Sequence, residues 1–270
     1  MDKSRKNIIQ QTFDTVAEGY DHPSLAFFPD TSERMLAHLN MSDDLHLLDV
    51  CTGTGMVALK AAQILSNGKV TGIDLSSGML KQASRKALES GIDNTEFLQM
   101  DLDHLNFPLQ NFDVATSSFG LFFIENMEAA LTNVVNTVKS GGQIALSSFT
   151  GNAFQPYSDM FIELYQSYDM EMPALSWKRL ETEDALSNVF NAAGIKEIEF
   201  YHEPLSYAIK SEQQWWDVVW NAGYRGLLNQ LTETQRHDFE QQHRNEISEL
   251  CAKGDTRMDV SVIIAIGRKP

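Results

Sequence analysis

The stretch that most constrains this chain is Leu47-Leu48-Asp49-Val50-Cys51-Thr52-Gly53-Thr54-Gly55-Met56-Val57-Ala58-Leu59. A short apolar run ends in an acid, two glycines separated by one residue follow, and an apolar helix-favouring segment then begins. That is the outline of a buried strand, a tight turn and a helix N-terminus. In open α/β sheets such a turn holds a nucleotide-containing cofactor, although glycine-rich turns also serve purely structural ends.

The surrounding pattern alternates. Strands are predicted at 45–50, 69–73, 95–100, 112–117 and 143–149, with helices at 54–65, 77–90 and 127–139 between them. Ser76 is placed to cap the second of these helices, and Gly91 stops it. A helix at 181–193 ends at Gly194 and precedes a strand through Ile198 and Phe200. The β-branched run 260–266 closes the chain and reads as a buried strand inserted into the sheet. Together these predict an α/β, doubly wound, mostly parallel Rossmann-like seven-stranded sheet with helical cap insertions.

Residues 1–270 read as a single domain, with a cofactor-binding core at 41–149. In front of it, residues 1–40 hold two helices. The first, 4–18, carries Ile8, Ile9, Phe13 and Val16 and is stopped by Tyr20-Asp21-His22-Pro23. The second is predicted at 31–40. Two insertions, 150–180 and 210–252, form a substrate cap. Phe154, Tyr157, Phe161, Tyr165 and Tyr168 give the first one continuous aromatic helix face, while Trp215, Trp216, Trp220 and Tyr224 mark the second.

Charge narrows the partners. The formal net charge is −16, from 37 acids against 21 bases. Such a surface repels phosphate backbones, so no nucleic-acid partner is expected. No run approaches the ~20 apolar residues of a membrane span, and no signal-peptide core follows the N-terminus, so a cytoplasmic protein is expected. Cys51 and Cys251 suggest neither a disulfide framework nor a metal site. Oligomeric state is not legible.

Acids beyond the loop add meaning. Asp74 ends the second strand some 20 residues past the glycines, where a carboxylate accepts from ribose hydroxyls. Asp101 follows the third strand, in reach of an exocyclic amine. A dinucleotide-binding fold shares Gly53, Gly55 and Asp74, and tolerates Ala58 in its third glycine position. It calls for neither Asp49 nor Asp101, and leaves the Ser140-Gly141-Gly142 turn unexplained.

The set resembles the class I S-adenosylmethionine-dependent methyltransferases, and is similar to their ubiquinone/menaquinone-biosynthesis group. Residues 48–55 resemble the D-x-G-x-G-x-G loop; Gly72-Ile73-Asp74-Leu75-Ser76 with Met79-Leu80 resemble the ribose-binding strand end; Asp101 to Phe107 resemble D-A-E-x-L-P-F. Lys139-Ser140-Gly141-Gly142 resembles the L-K-P-G-G turn, and 13–21 the helix that closes over the cofactor. The resemblance covers residues 13–149. It implies S-adenosyl-L-methionine as cofactor, with Asp49 holding the methionine amino group, Asp74 the ribose, and Asp101 with Leu102 the adenine, flanked by Leu75 and Met79. Cys51, Gly53, Thr54, Gly55, Tyr20 and Ser117 complete the expected cofactor site. Cys51 replaces the first glycine and is expected to be a small turn filler rather than a nucleophile.

For the methyl acceptor the expectation is a small, aromatic or quinone-like metabolite. Methylation of a tRNA or protein, or a catalytically silent adenosylmethionine binder, stand as alternatives. Alignment of nucleophile and methyl contributes about 7–11 kcal/mol in such displacements, a base roughly 3–5. Tyr20 and His22 are the catalytic candidates, Tyr20 at the reacting methyl and His22 as acceptor of a phenol proton. No metal is expected.

Overall fold

The computed structural model describes residues 3–171, 175–254 and 256–270. Met1 and Asp2 of the expected N-terminal segment, and 172–174 of the expected first insertion, lie outside the described residues.

Two helices lead in, α1 (Lys3–Val16) and α2 (Phe27–His38). The core then winds β1 (His46–Val50), α3 (Met56–Ile64), β2 (Lys69–Asp74), α4 (Ser77–Glu89), β3 (Thr95–Gln99), β4 (Phe112–Ser118), α5 (Met127–Thr137) and β5 (Val138–Phe149). Next come α6 (Tyr157–Gln166), α7 (Glu183–Ala192), β6 (Ile198–Glu203), β7 (Ser206–Ala208), α8 (Glu212–Asn221), α9 (Arg225–Leu228) and α10 (Glu233–Ala252). The chain ends in β8 (Arg257–Asp259) and β9 (Val262–Arg268).

Seven strands form the main sheet in the order β3-β2-β1-β4-β5-β9-β6. All neighbours run parallel except that β9 lies antiparallel between β5 and β6. Helices cover the sheet, so the central strands are near-continuous apolar runs: Leu47, Leu48 and Val50 of β1 and Val262 to Ile266 of β9 are all buried. Winding proceeds outward one way through β2 and β3 and the other way from β4. The crevice beyond the C-terminal ends of β1 and β4 is therefore the switch point where ligands bind in such sheets.

Local chemistry sets the helix ends. The Ser76 hydroxyl accepts from the Met79 N–H at the start of α4, and Gly91 (φ +65°) and Gly194 (φ +88°) supply the left-handed turns expected after α4 and α7.

Four details differ from the sequence expectation. α2 begins at Phe27 rather than 31, because Pro29 falls in the first turn, where the missing N–H costs no intrahelical bond. α5 stops at Thr137: Val138 is already extended, and residues 139–142 bulge between the Phe112–Val138 and Val114–Gln143 pairings. A Cβ on Gly142 would lie 2.6 Å from the Asp113 carbonyl, so only glycine lets the two strands approach there. The aromatic run is not one helix face. α6 holds Tyr157, Phe161 and Tyr165, while Phe154 sits before it at φ +69° and Tyr168 in the turn after it. The two-stranded ribbon of β7 and β8 was not anticipated, since three residues per strand show no usable alternation.

Candidate functional site

Asp49 is the floor of the switch-point crevice. Its register opposite Thr116 of β4 brings the Thr116 hydroxyl to Oδ1 at 2.7 Å, and the Thr52 hydroxyl donates to Oδ2 at 2.6 Å. The carboxylate is 1% exposed. Burial pushes its pKa up to about 6 despite the two hydroxyl donors. A buried carboxyl held this way is primed to take a cationic partner.

The turn above it carries strain. Cys51 adopts φ +56°, a left-handed conformation that ordinarily costs a side chain about 1–2 kcal/mol. Its room comes from Gly120, where a Cβ would stand 2.3 Å from the Cys51 Cβ. Burial, and then the nearby Asp74, Asp49 and Asp101, hold the thiol well above its ordinary pKa, so it stays protonated and weakly nucleophilic. Gly53 (φ +55°) faces open space, whereas a Cβ on Gly55 (φ +80°) would crowd Ala83, Phe97 and Leu59 at 3.1, 3.3 and 3.4 Å.

Asp74 closes the turn from β2. It accepts from the Gly53 N–H (2.9 Å) and the Ser76 N–H (2.8 Å), one on each oxygen. Burial raises its pKa against those backbone donors. Each oxygen keeps a lone pair for a further donor. Asp101 is held differently: Oδ2 accepts from the Lys6 ammonium of α1, and Oδ1 from the Asp103 N–H at 3.0 Å. Burial alone would raise its pKa, but Lys6 and the Asp103 N–H outweigh it and keep Asp101 below the ordinary carboxylate range.

α1 and the segment after it roof this cavity through three ties. Lys6 spans Asp101 and Asp103. Asp14 accepts from the Ser76 hydroxyl and the Gly78 N–H. Asp21 accepts from the Thr54 hydroxyl (2.7 Å) and pairs with Lys86 (2.8 Å). The partly open cavity beneath them brings together Tyr20, Asp49, Cys51, Gly53, Thr54, Asp74, Leu75, Met79, Asp101 and Leu102. Two expected members stand apart. Gly55 serves helix packing, and Ser118 rather than Ser117 reaches the wall.

A second, larger cavity of about 540 Å³ adjoins the first. Ile9, Phe13, Tyr20, Phe28, Phe119 and Phe123 line both. Tyr20 stacks on Phe28 at 4.9 Å, and burial, with Asp74 and Asp21 nearby, raises its hydroxyl pKa. His22 lines neither cavity. Its Nδ1 accepts from the Ser24 N–H, and its Nε2 stands 3.8 Å from Asp217.

The aromatic stripes divide. Phe154 and Tyr224 face the larger cavity, whereas Tyr157, Phe161, Tyr165 and Trp215 are fully buried. They pack with α10, where Trp215 donates to His243 at 2.7 Å. The cavity's main aromatic wall, Phe27, Phe28, Phe119, Phe122, Phe123 and Phe149, went unnoticed in the sequence. The signal was present in Phe119-Gly120-Leu121-Phe122-Phe123, which follows β4 where switch-point loops carry ligands.

Fold and site together define a Rossmann-like cofactor-binding domain with an acidic slot at its switch point and an aromatic chamber beside it. Known proteins narrow the class. A methyltransferase-domain family profile matches residues 47–142. Aklanonic acid methyltransferase DauC of Streptomyces sp. (strain C5) is 30% identical over 148 residues, which is 54% of this chain and 67% of that protein. Ubiquinone/menaquinone biosynthesis C-methyltransferase UbiE of Ectopseudomonas mendocina is 32% identical over 152 residues, 56% of this chain and 57% of that one. The match thus spans little more than half of UbiE. Among solved structures, phosphoethanolamine N-methyltransferase 2 of Haemonchus contortus with S-adenosyl-L-methionine superposes with a TM-score of 0.55 at 14% identity, over 89% of this chain and 52% of that one. The chain belongs to the class I S-adenosylmethionine-dependent methyltransferases, similar to the UbiE group.

Proposed function

We propose that this enzyme methylates a small aromatic or quinone-like metabolite bound in the larger cavity, with S-adenosylmethionine in the smaller one. The observation that carries this is the shared wall of Tyr20, Phe28, Phe119 and Phe123, which sets an apolar chamber directly against the acidic slot. By their names, DauC acts on aklanonic acid and UbiE serves ubiquinone and menaquinone biosynthesis. The charge of −16 argues against a nucleic-acid acceptor.

The residues present fit the cofactor. Gly53 leaves an open cradle where a Cβ would meet nothing within 4 Å. In this reading Asp49 pairs with the methionine ammonium, Asp74 accepts from the ribose hydroxyls, and Leu75, Met79 and Leu102 enclose the adenine. Asp101 accepts from the adenine amine beside Lys6. When bound, S-adenosylmethionine supplies an electrophilic methyl group on a sulfonium. The chain's share is alignment, exclusion of water by α1, and an aromatic surround that favours the sulfonium's positive charge. The described residues of 150–180 and 210–252 act as the substrate cap: both stretches contribute to the larger cavity, through Phe154 and Trp177 and through Val218 and Tyr224.

Calorimetry with S-adenosylhomocysteine tests the cofactor half. Asp74→Ala should weaken binding at least about tenfold, the value of one charged hydrogen bond; unchanged affinity would remove Asp74 from the site. Incubation with methyl-labelled donor and cell extract tests the acceptor half. Label in small organic compounds is expected, and label confined to RNA or protein would overturn it.

A further inference from the structure

We infer that the acceptor is an aromatic or quinone-like oxyacid that enters the larger cavity already ionised, and that Arg5 at the cavity's edge recognises its negative charge. This rests on reading that cavity as the acceptor site.

Among the described residues lining it, the ionisable groups are Arg5, Tyr20 and Tyr224; the other polar side chains are Thr12, Ser176 and Gln230, with the Trp177 indole. The Tyr224 hydroxyl is itself buried, and burial holds both tyrosines above their ordinary pKa, so neither supplies a base to the chamber. Among its described lining residues the chamber therefore offers one fixed positive charge, Arg5, and no carboxylate, which suits an oxyanion. Arg179 stands close enough to Arg5 for the two guanidinium groups to repel. It is fastened by hydrogen bonds to the Phe122, Ile124 and Glu125 carbonyls, on the loop that lines both cavities. Glu125 and Glu128 also face Arg179 and moderate that positive patch.

The chemistry balances without a base. A carboxylate or acidic enolate oxygen forms the new O–CH3 bond, the S–CH3 bond breaks, and its electron pair stays on sulfur. An anion and a sulfonium become a neutral ester or ether and a neutral thioether, and no proton moves. Walls of phenylalanine favour this, because charge is annihilated in the displacement and a weakly solvated oxyanion has less hydration to lose. A neutral phenol would instead need a proton acceptor, a contribution of about 10²–10⁴-fold that this lining does not furnish.

Calorimetry distinguishes the two levels of the argument. Naphthoate is compared with naphthamide, and hydroxynaphthoquinone with methoxynaphthoquinone, each with the protein saturated in S-adenosylhomocysteine. The anionic member of at least one pair should bind at least about tenfold tighter than its neutral partner, as a charge-assisted contact implies. Whichever pair discriminates says whether the anion is a carboxylate or an acidic enol. Arg5→Ala should abolish that preference and Arg5→Lys should retain most of it, with unfolding curves matching wild type. If both members of each pair bind equally, the aromatic acceptor site stands and the oxyanion inference falls. If none of the four binds, both fall.

Discussion

Cys51 and Gly120 should behave as one unit, because the strained turn exists only where its neighbour has no side chain. Gly120 has φ −107°, which any residue adopts, so a substitution there meets only a steric barrier. In Gly120→Ala the added methyl would lie 2.3 Å from the Cys51 Cβ, 3.0 Å from its Sγ and 3.1 Å from the Ser117 Oγ. Overpacking on this scale costs about 2–3 kcal/mol. Cys51→Gly relieves about 1–2 kcal/mol of left-handed strain while adding about 0.5–1 kcal/mol of unfolded-state entropy, so alone it should fall within about 1 kcal/mol of wild type. In the double variant two of the three close contacts vanish, leaving only a hydroxyl that can rotate away. Urea unfolding followed by tryptophan fluorescence should give an interaction energy of about 1.5–2 kcal/mol. Additivity within about 0.5 kcal/mol would refute the steric account.

Asp49 and His243 make opposite contributions to pH dependence. Asp49, raised from 3.8 to about 6, destabilises the free protein as pH climbs through that window, by about 3 kcal/mol in total. Asp49→Asn should therefore be more stable than wild type at pH 7 by about 1–3 kcal/mol, converge with it near pH 4, and bind S-adenosylhomocysteine more weakly; equal stability at pH 7 would contradict the burial cost. His243 is lowered from 6.5 to about 4 by burial, so its contribution is complete above pH 6.5 and is lost as pH falls to 4, again about 3 kcal/mol. His243→Gln should flatten that acid limb in denaturant titrations across pH 4–7. Trp215→Phe deletes the donor to His243 and should cost about 1–3 kcal/mol in thermal unfolding, because it leaves a buried nitrogen without its partner.

How much of this was readable depends on how local each determinant is. The five core strands, Ser76 and the two stop glycines are written in neighbouring residues, and the registers that set Asp49 beside Thr116 follow once the strands pair. The acids Asp49, Asp74 and Asp101 converge because each lies at or just past the C-terminal end of one of three adjacent parallel strands. Lys6 on Asp101 was invisible, since 95 residues separate the partners. The same holds for the fate of the aromatic stripes. Phe161 and Trp215 became core because α10, a helix with a weak apolar pattern of its own, contributes Phe239 and His243 between them. His22 looked chemically apt by residue type, but the turn at Pro23 spends its Nδ1 on a backbone N–H.

The roof helix α1 has a thermodynamic meaning. Ile9 and Phe13 touch both chambers, so in the proposed reading a ligand in either one packs against the same helix. The two affinities are then linked reciprocally: whatever factor a slot ligand adds to chamber binding, a chamber ligand returns to slot binding. The ties made by Lys6, Asp14 and Asp21 hold that shared helix in place, so loosening any of them should weaken both affinities together.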